Sequence, residues 1–465
     1  MIVALLCAAQ FMLILDITVV NVALPSIQDD VGIAPGDLQW IVTAYTLVFG
    51  GLVLLGGRAA DLFGRRRVFL TGLAVFTGAS LVSALAGSTG VLVGARAAQG
   101  LGAALLSPAA LSLVTTLFAP GPARNRALGA WAAVAAGGGA VGVLAGGVLT
   151  QSLGWRSIFY LNLPVGLLVG VAALLLIPAA RPSGGRRLDV TGALLATGSL
   201  VALIYGLVEA EGAGWASAQT LGLFALAAAG ITVFVVVESR TREPLIPLAI
   251  LRRRPTAVGL VLLVIGMGTV FSGFYFCSLY LQQVLGHTAL RTGLEFLPVA
   301  IAIVVAAHLG GHLVSRWGSR PVIAAGLGMT AAGALLLSGL SPQGSYLTDV
   351  LPGFLTLGTG AGLAAAGVMI TALSGAGHED AGAVSGLAGA AHELSVALVL
   401  PVLATVAAAG LPGESASVDI TLLASGFADA FRTAAALALA GALLALVALR
   451  RTDTAAGTPS PHFVH

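Results

Sequence analysis

The chain has 465 residues, 58% of them hydrophobic and only 9% charged, with a mean hydropathy of +1.01. A water-soluble domain carries about 25% charged residues, and no soluble arrangement hides this much apolar surface, so the composition excludes a soluble protein and indicates an integral membrane protein. All 22 basic residues are arginine, and the net charge of +3 gives no ground for nucleic-acid binding.

Fourteen apolar spans are expected, at 2–24, 38–57, 68–87, 91–117, 127–150, 157–177, 190–208, 218–238, 256–280, 292–314, 321–340, 347–372, 383–409 and 430–449. Most approach the ~20 residues that a membrane helix needs. The first run has neither a basic leader segment nor a small-residue cleavage site. It therefore reads as a membrane helix and not a signal peptide. Cys7 and Cys277 lie in apolar runs, and without a CxxC or a His/Cys cluster no disulfide or metal site is expected. Residues 451–465, rich in Thr, Ala, Gly, Pro and Ser, read as a disordered tail.

Eighteen of the 22 arginines follow even-numbered spans; only Arg156, Arg291 and Arg432 follow odd ones, and Arg96 falls inside a span. Positive residues favour the cytoplasmic side, which puts both termini there. One arginine-bearing hairpin, Gly57 to Arg67, is echoed at Gly311 to Arg320. Eight spans separate the copies, as expected for two six-helix halves with two helices inserted between them. The division is 1–180, an insertion with linker at 181–250, and 251–450, ahead of the tail at 451–465.

Five motifs occur in order: Leu15 to Pro25, Gly57 to Arg67, Arg96 to Ala104, Trp155 to Gly166, and Glu243 to Leu248. Together they resemble the major facilitator superfamily, in its fourteen-helix drug:proton antiporter branch, over nearly the whole chain. That resemblance implies an all-α membrane fold with fourteen transmembrane helices. It also implies a cytoplasmic latch at Gly57, Asp61, Gly64, Arg65 and Arg66 that engages in the outward-facing state. The fifth span departs from the family's antiporter motif: Gly138, Gly142, Gly146 and Gly147 keep the small-residue packing face, but Val143 stands where proline is expected.

A carboxylate inside a membrane helix is costly unless paired or hydrated, so Asp16 is the leading candidate for carrying a proton. Asp16 lies ~21 Å from the cytoplasmic edge and Arg96 ~7 Å from the opposite edge, at 1.5 Å per residue, so the two can pair. Asn21, Gln99 and Glu393 complete the expected proton-coupling and substrate cavity. Fixed structural pairing of Asp16 with Arg96 is the alternative. Glu295 is expected at a solvated mouth. His308 and His312 are expected to be structural or interfacial. Trp40, Trp155 and Trp215 are expected to anchor the interface. Phe49, Trp131, Phe274 and Tyr275 could line an apolar pocket, although packing roles are the simpler reading.

No nucleophile elbow, phosphate loop, dinucleotide fingerprint or zinc motif is present, so neither an enzyme nor a cofactor is expected. The expected function is proton-coupled export of amphiphilic small molecules by a monomer in a bacterial inner membrane. Drug efflux or self-resistance to a specialised metabolite would both fit. Export of a native metabolite, such as an amino acid or siderophore, is an alternative, as is a non-transporting membrane receptor.

Overall fold

The computed structural model describes residues 2–117, 122–178, 189–241, 244, 248–374, 381–409 and 420–449. Its long helices are α1 (Ile2–Val31), α2 (Trp40–Phe63), α3 (Arg65–Ala84), α4 (Thr89–Leu117) and α5 (Pro122–Leu153). The sixth span is split into α6 (Arg156–Tyr160) and α7 (Asn162–Leu176). Then come α8 (Val190–Ala213), α9 (Ala218–Arg240), the short α10 (Leu248–Leu251), α11 (Arg254–Leu279) and α12 (Ala289–Trp317). The chain continues through α13 (Ser319–Leu337), α14 (Leu351–Ser374), α15 (Ala381–Ala408) and α16 (Ile420–Ala448). No strand occurs among the described residues. Apolar surroundings leave the backbone no water to bond with, so each span satisfies its amides internally as a helix.

Twelve helices among the described residues are long and apolar enough to cross a membrane. At the two other expected positions α5 and α8 are present, with apolar described stretches of Val141–Leu153 and Thr191–Leu207. The break between α6 and α7 has a local cause: Pro164 lacks an N–H, which leaves Tyr160 without its donor four residues on.

Helix contacts repeat along the chain. Among the first six spans, α1 packs on α5 and α7, α4 on α2 and α3, and α3 on α7. Among the last six, α11 packs on α15 and α16, α14 on α12 and α13, and α13 on α16. The two sets meet where α2 packs on α15, α5 on α12 and α1 on α11. Helices α8 and α9 pair with each other, and α8 leans on α2 and α15.

The buried side chains form one large cluster that draws on both sets, from Leu15, Leu24, Ile41 and Val143 to Phe276, Phe296, Phe354 and Phe431. It lies toward the end of the bundle that is poor in arginine. Toward the arginine-rich end each set has its own cluster, one built around Leu6, Phe69 and Leu113 and the other around Leu263, Ile323 and Ala445. The sets are thus cemented at one end, and α2 and α15 stay packed further along, where Gly50 meets Leu394.

The hairpins are tighter than the sequence suggests. Helix α2 runs through Asp61 to Phe63, so Asp61 lies in its last turn and does not precede α3; its side chain is outside the described ones. Gly64 alone makes the turn, at φ 94°, and Gly318 does the same in the second copy at φ 82°. Only glycine takes such angles without strain. Gly57 sits inside α2, where an added Cβ would meet only Pro108 at an ordinary 3.7 Å. Gly64→Ala should therefore cost about 1–2 kcal/mol through the positive φ and lower the melting temperature, whereas Gly57→Ala should not. Thermal unfolding in detergent checks the contrast.

Several expected positions fall outside the described residues: the polar loop 410–419, the tail 450–465 and most of the Glu243 to Leu248 motif, together with the side chain of Trp131.

Candidate functional site

Asp16 and Arg96 meet directly. Arg96 Nη1 donates to Asp16 Oδ2 at 2.5 Å, and the two side chains are each 1% exposed. A buried charge pair is tolerable when its remaining lone pairs and protons are also matched, and here both carboxylate oxygens of Asp16 and the Nε and Nη1 groups of Arg96 are bonded. Gln99, one helical turn after Arg96 on α4, donates Nε2 to Asp16 Oδ1 at 3.1 Å and accepts from Arg96 Nη1 at 2.9 Å. Asn162 Nδ2 donates to the same Asp16 Oδ1 at 2.7 Å. Arg96 Nε reaches the Ile41 carbonyl on α2 at 2.9 Å.

Two serines of α3 close the network. Ser80 Oγ accepts from Gln99 at 2.8 Å and from Asn162 at 3.2 Å, and Ser83 Oγ donates to Gln99 Oε1 at 3.2 Å. The guanidinium carbon lies 4.5 Å from the Tyr45 ring centroid and 5.8 Å from that of Phe159, a cation–π arrangement strengthened by desolvation. Every charged and amide side chain in this cluster is buried. Ionised Asp16 thus accepts three hydrogen bonds from donors on α4 and α7, while α2 and α3 supply the walls.

Asn21 is not part of this cluster. Its amide donates back to Ile17 O at 3.3 Å within α1. Glu393 is half-buried on α15 and makes no hydrogen bond or ion pair with another described residue. It lies within electrostatic reach of Tyr45, as do Asp16 and Arg96. The Tyr45 hydroxyl is buried without a partner, as is Asn162 Oδ1. Tyr45 is thus within electrostatic reach of both the sealed pair in the first helix set and the Glu393 carboxylate in the second.

The glycines of α5 divide by face. A Cβ at Gly138, Gly142 or Gly146 would meet Ile14, Thr18 or Val19 of α1. Gly147 faces the other set, where a Cβ would stand 2.7 Å from Ala289 O and 2.9 Å from Leu290 Cα. Val143 is buried at the same crossing, and its carbonyl lies against Gly293 of α12. Close packing of α5 thus survives without the expected proline.

Of the latch residues, Arg66 Nη2 donates to Leu174 O at 2.6 Å, which ties the first hairpin to the last turn of α7 in its own set. In the second copy Ser315 bonds back to Gly311 O at 3.0 Å, and Ser319 Oγ accepts from Thr371 at 3.0 Å.

Other expectations change. Glu295 is 9% exposed and held by Arg291 at 3.0 Å and His287 at 2.9 Å, because α12 begins inside a packed corner and not at a solvated mouth. Trp155 is buried and donates to Asp30 Oδ2 at 3.0 Å, so it fastens α6 to α1 and does not anchor an interface. Phe274 packs edge-on against Phe296 and Phe354, and Phe49 against Tyr45. No group of three metal-capable side chains occurs among the described residues.

Sequence reasoning missed Ser80, Ser83, Asn162 and Tyr45. The serines stand three apart on one face of an apolar helix, and Asn162 interrupts an apolar run beside a proline. Both patterns mark polar groups that must find partners in the membrane interior.

Residues 6–401 match the family model described as Major Facilitator Superfamily. The chain is 41% identical to the cephamycin export protein CmcT of Amycolatopsis lactamdurans, over 95% of this chain and 90% of that protein. It is 40% identical to the puromycin resistance protein pur8 of Streptomyces alboniger, over 97% and 92%. It is 36% identical to the tetracenomycin C resistance and export protein of Streptomyces glaucescens, over 84% and 73%. Among solved structures, a D-xylose–proton symporter superposes with TM-score 0.68 at 17% identity, covering 97% of this chain and 98% of that one. A peptide transporter POT in complex with sulfate gives 0.69 at 16%, covering 96% and 93%.

Proposed function

This chain belongs to the major facilitator superfamily, and on that premise we propose that it exports antibiotic-like amphiphilic molecules in exchange for protons, as a self-resistance transporter and not an enzyme. The observation that carries the mechanism is the sealed Asp16–Arg96 pair in a chain whose two helix sets share a core at one end only.

The arginine-rich end is cytoplasmic, in a bacterial inner membrane, and both termini lie on that side. Fourteen helices cross: residues 1–180 and 251–450 form the two halves, and α8 with α9 forms the inserted pair. The shared core closes the periplasmic end in this structure. Rocking of the halves exposes a central site alternately to each side.

Protonation of Asp16 cancels the charge that holds Arg96. The guanidinium then exchanges its ion pair for a weaker bond, and α1 is free to shift against α4. Glu393, without an ion pair among the described residues and within electrostatic reach of Tyr45, is the group in the second half that attracts a cationic substrate or takes the proton in turn. The hairpin around Asp61 latches the cytoplasmic ends in the opposite state. The named relatives support antibiotic export, since two are named as export proteins and two as resistance proteins.

Inverted membrane vesicles test the reading, with respiration used to acidify the lumen and acridine orange to report it. Addition of puromycin, tetracenomycin C or ethidium should dissipate the gradient only when the protein is present, and the compound should accumulate inside. Accumulation without a proton response would remove the coupling. Binding without accumulation would remove the exporter.

A further inference from the structure

Pro25 lies inside α1 and has no N–H, so the Asn21 carbonyl lacks its helical donor. In this structure the donor comes from the other half. Ser278 Oγ donates to Asn21 O at 2.7 Å. Gln282 Nε2 donates to the adjoining Val22 O at 3.0 Å and to Ser278 Oγ at 3.0 Å. Gln283 Nε2 donates to Gln28 Oε1 at 2.7 Å. All three donors lie at the end of α11 and in the π-helical turn Tyr280–Val284 that extends it. Neighbours on an α-helix point about 100° apart, and the wider π turn lets both glutamines reach α1.

A second proline makes the comparison. Pro108 in α4 frees the Ala104 carbonyl in the same way. That oxygen lies against Gly56 of α2, within the same half, where any side chain would overlap it. The Ala104 cover therefore stays in place whichever end of the transporter is open. The Asn21 carbonyl is covered only while α1 and α11 touch.

We propose that Ser278 and Gln282 are positioning residues of the transport cycle: Ser278 supplies the hydrogen bond that Pro25 withholds from the Asn21 carbonyl, Gln282 braces Ser278 and bonds the adjoining Val22 carbonyl, and together they hold the periplasmic end closed. Opening that end transfers the Asn21 carbonyl to water. The freed carbonyl in α1 thereby adds a directional contact to the closed state, five residues along the helix from Asp16. The proposal rests on the exporter reading only in requiring that the halves separate; its test uses no substrate, so failure of the substrate assignment leaves it standing.

The full-length protein in nanodiscs, with Cys7 and Cys277 replaced by alanine, carries spin labels at Ser88 and Gln343, exposed residues on the two halves at the periplasmic end. Ser278→Ala with Gln282→Leu should raise the long-distance, open population about tenfold, as expected for leaving a carbonyl without its donor. In a Pro25→Ala background the restored N–H satisfies Asn21 within α1, and the same change should move the population by less than about twofold. Equal shifts in the two backgrounds would overturn the proposal. So would an unchanged distance distribution, even with a lowered melting temperature, because that would make Ser278 an ordinary packing residue.

Discussion

Asp16→Asn abolishes proton-coupled efflux, with an expected loss of at least about a hundredfold in substrate-driven proton flux. The carboxylate accepts from Arg96, Gln99 and Asn162. An amide has one acceptor oxygen and turns two N–H groups toward those donors, so at least one contact becomes donor against donor. Arg96, 1% exposed, is left as an uncompensated buried charge, which costs roughly 3–5 kcal/mol.

Loss of folding must therefore be separated from loss of chemistry. Asp16→Leu combined with Arg96→Leu removes both charges and should recover most of the melting temperature lost in the single variant, because a matched apolar pair has no charge to solvate. It should recover no proton coupling. If that double variant moved protons with substrate, Asp16 would be a structural partner of Arg96 and the coupling would belong to Glu393.

Gly147→Val should bias the transporter toward its periplasmic-open state and lower turnover by about tenfold or more, with little change in melting temperature. The added Cβ would stand 2.7 Å from a backbone oxygen of Ala289 and 2.9 Å from Leu290 Cα, and backbone cannot rotate aside. Overpacking of this kind costs about 1–3 kcal/mol in a fixed core. Here the strain is relieved by parting α5 from α12, because the contact lies between the halves.

Gly142→Val gives the control. Its Cβ would overlap Thr18 and approach Leu15 Cα at 3.4 Å, inside one half. That strain has no relief through the transport motion, so it should lower stability instead. Spin-label distances between Ser88 and Gln343, read beside thermal unfolding, separate the two. Equal destabilisation without a distance change for Gly147→Val would show that its contact is not a moving one.

The sequence by itself determined the membrane class, because 9% charge in 465 residues leaves no other solvent for the surface. It determined the superfamily through ordered motifs, and it placed Asp16 and Arg96 at matching depths, because helical rise converts residue number into height. It marked Gly57 and Gly64 as candidate turn glycines, of which Gly64 takes the positive φ and Gly57 lies inside α2.

Only the tertiary structure decided which faces meet. Periodicity is weak in spans that are apolar all round, so nothing in the chain said that Ser80, Ser83 and Asn162 would join one network around Asp16 and Gln99. The same blindness placed Glu295 and Trp155 in solvent or at an interface, although both are buried, Trp155 against Asp30, 125 residues away in sequence. Gly147 and Gly146 are adjacent in the same motif, yet one faces the other half and the other faces its own, because successive residues on a helix point about 100° apart. The state of the transporter was likewise beyond the sequence: the Asn21 carbonyl is freed by a local proline, but its donor on α11 arrives only when the two halves close.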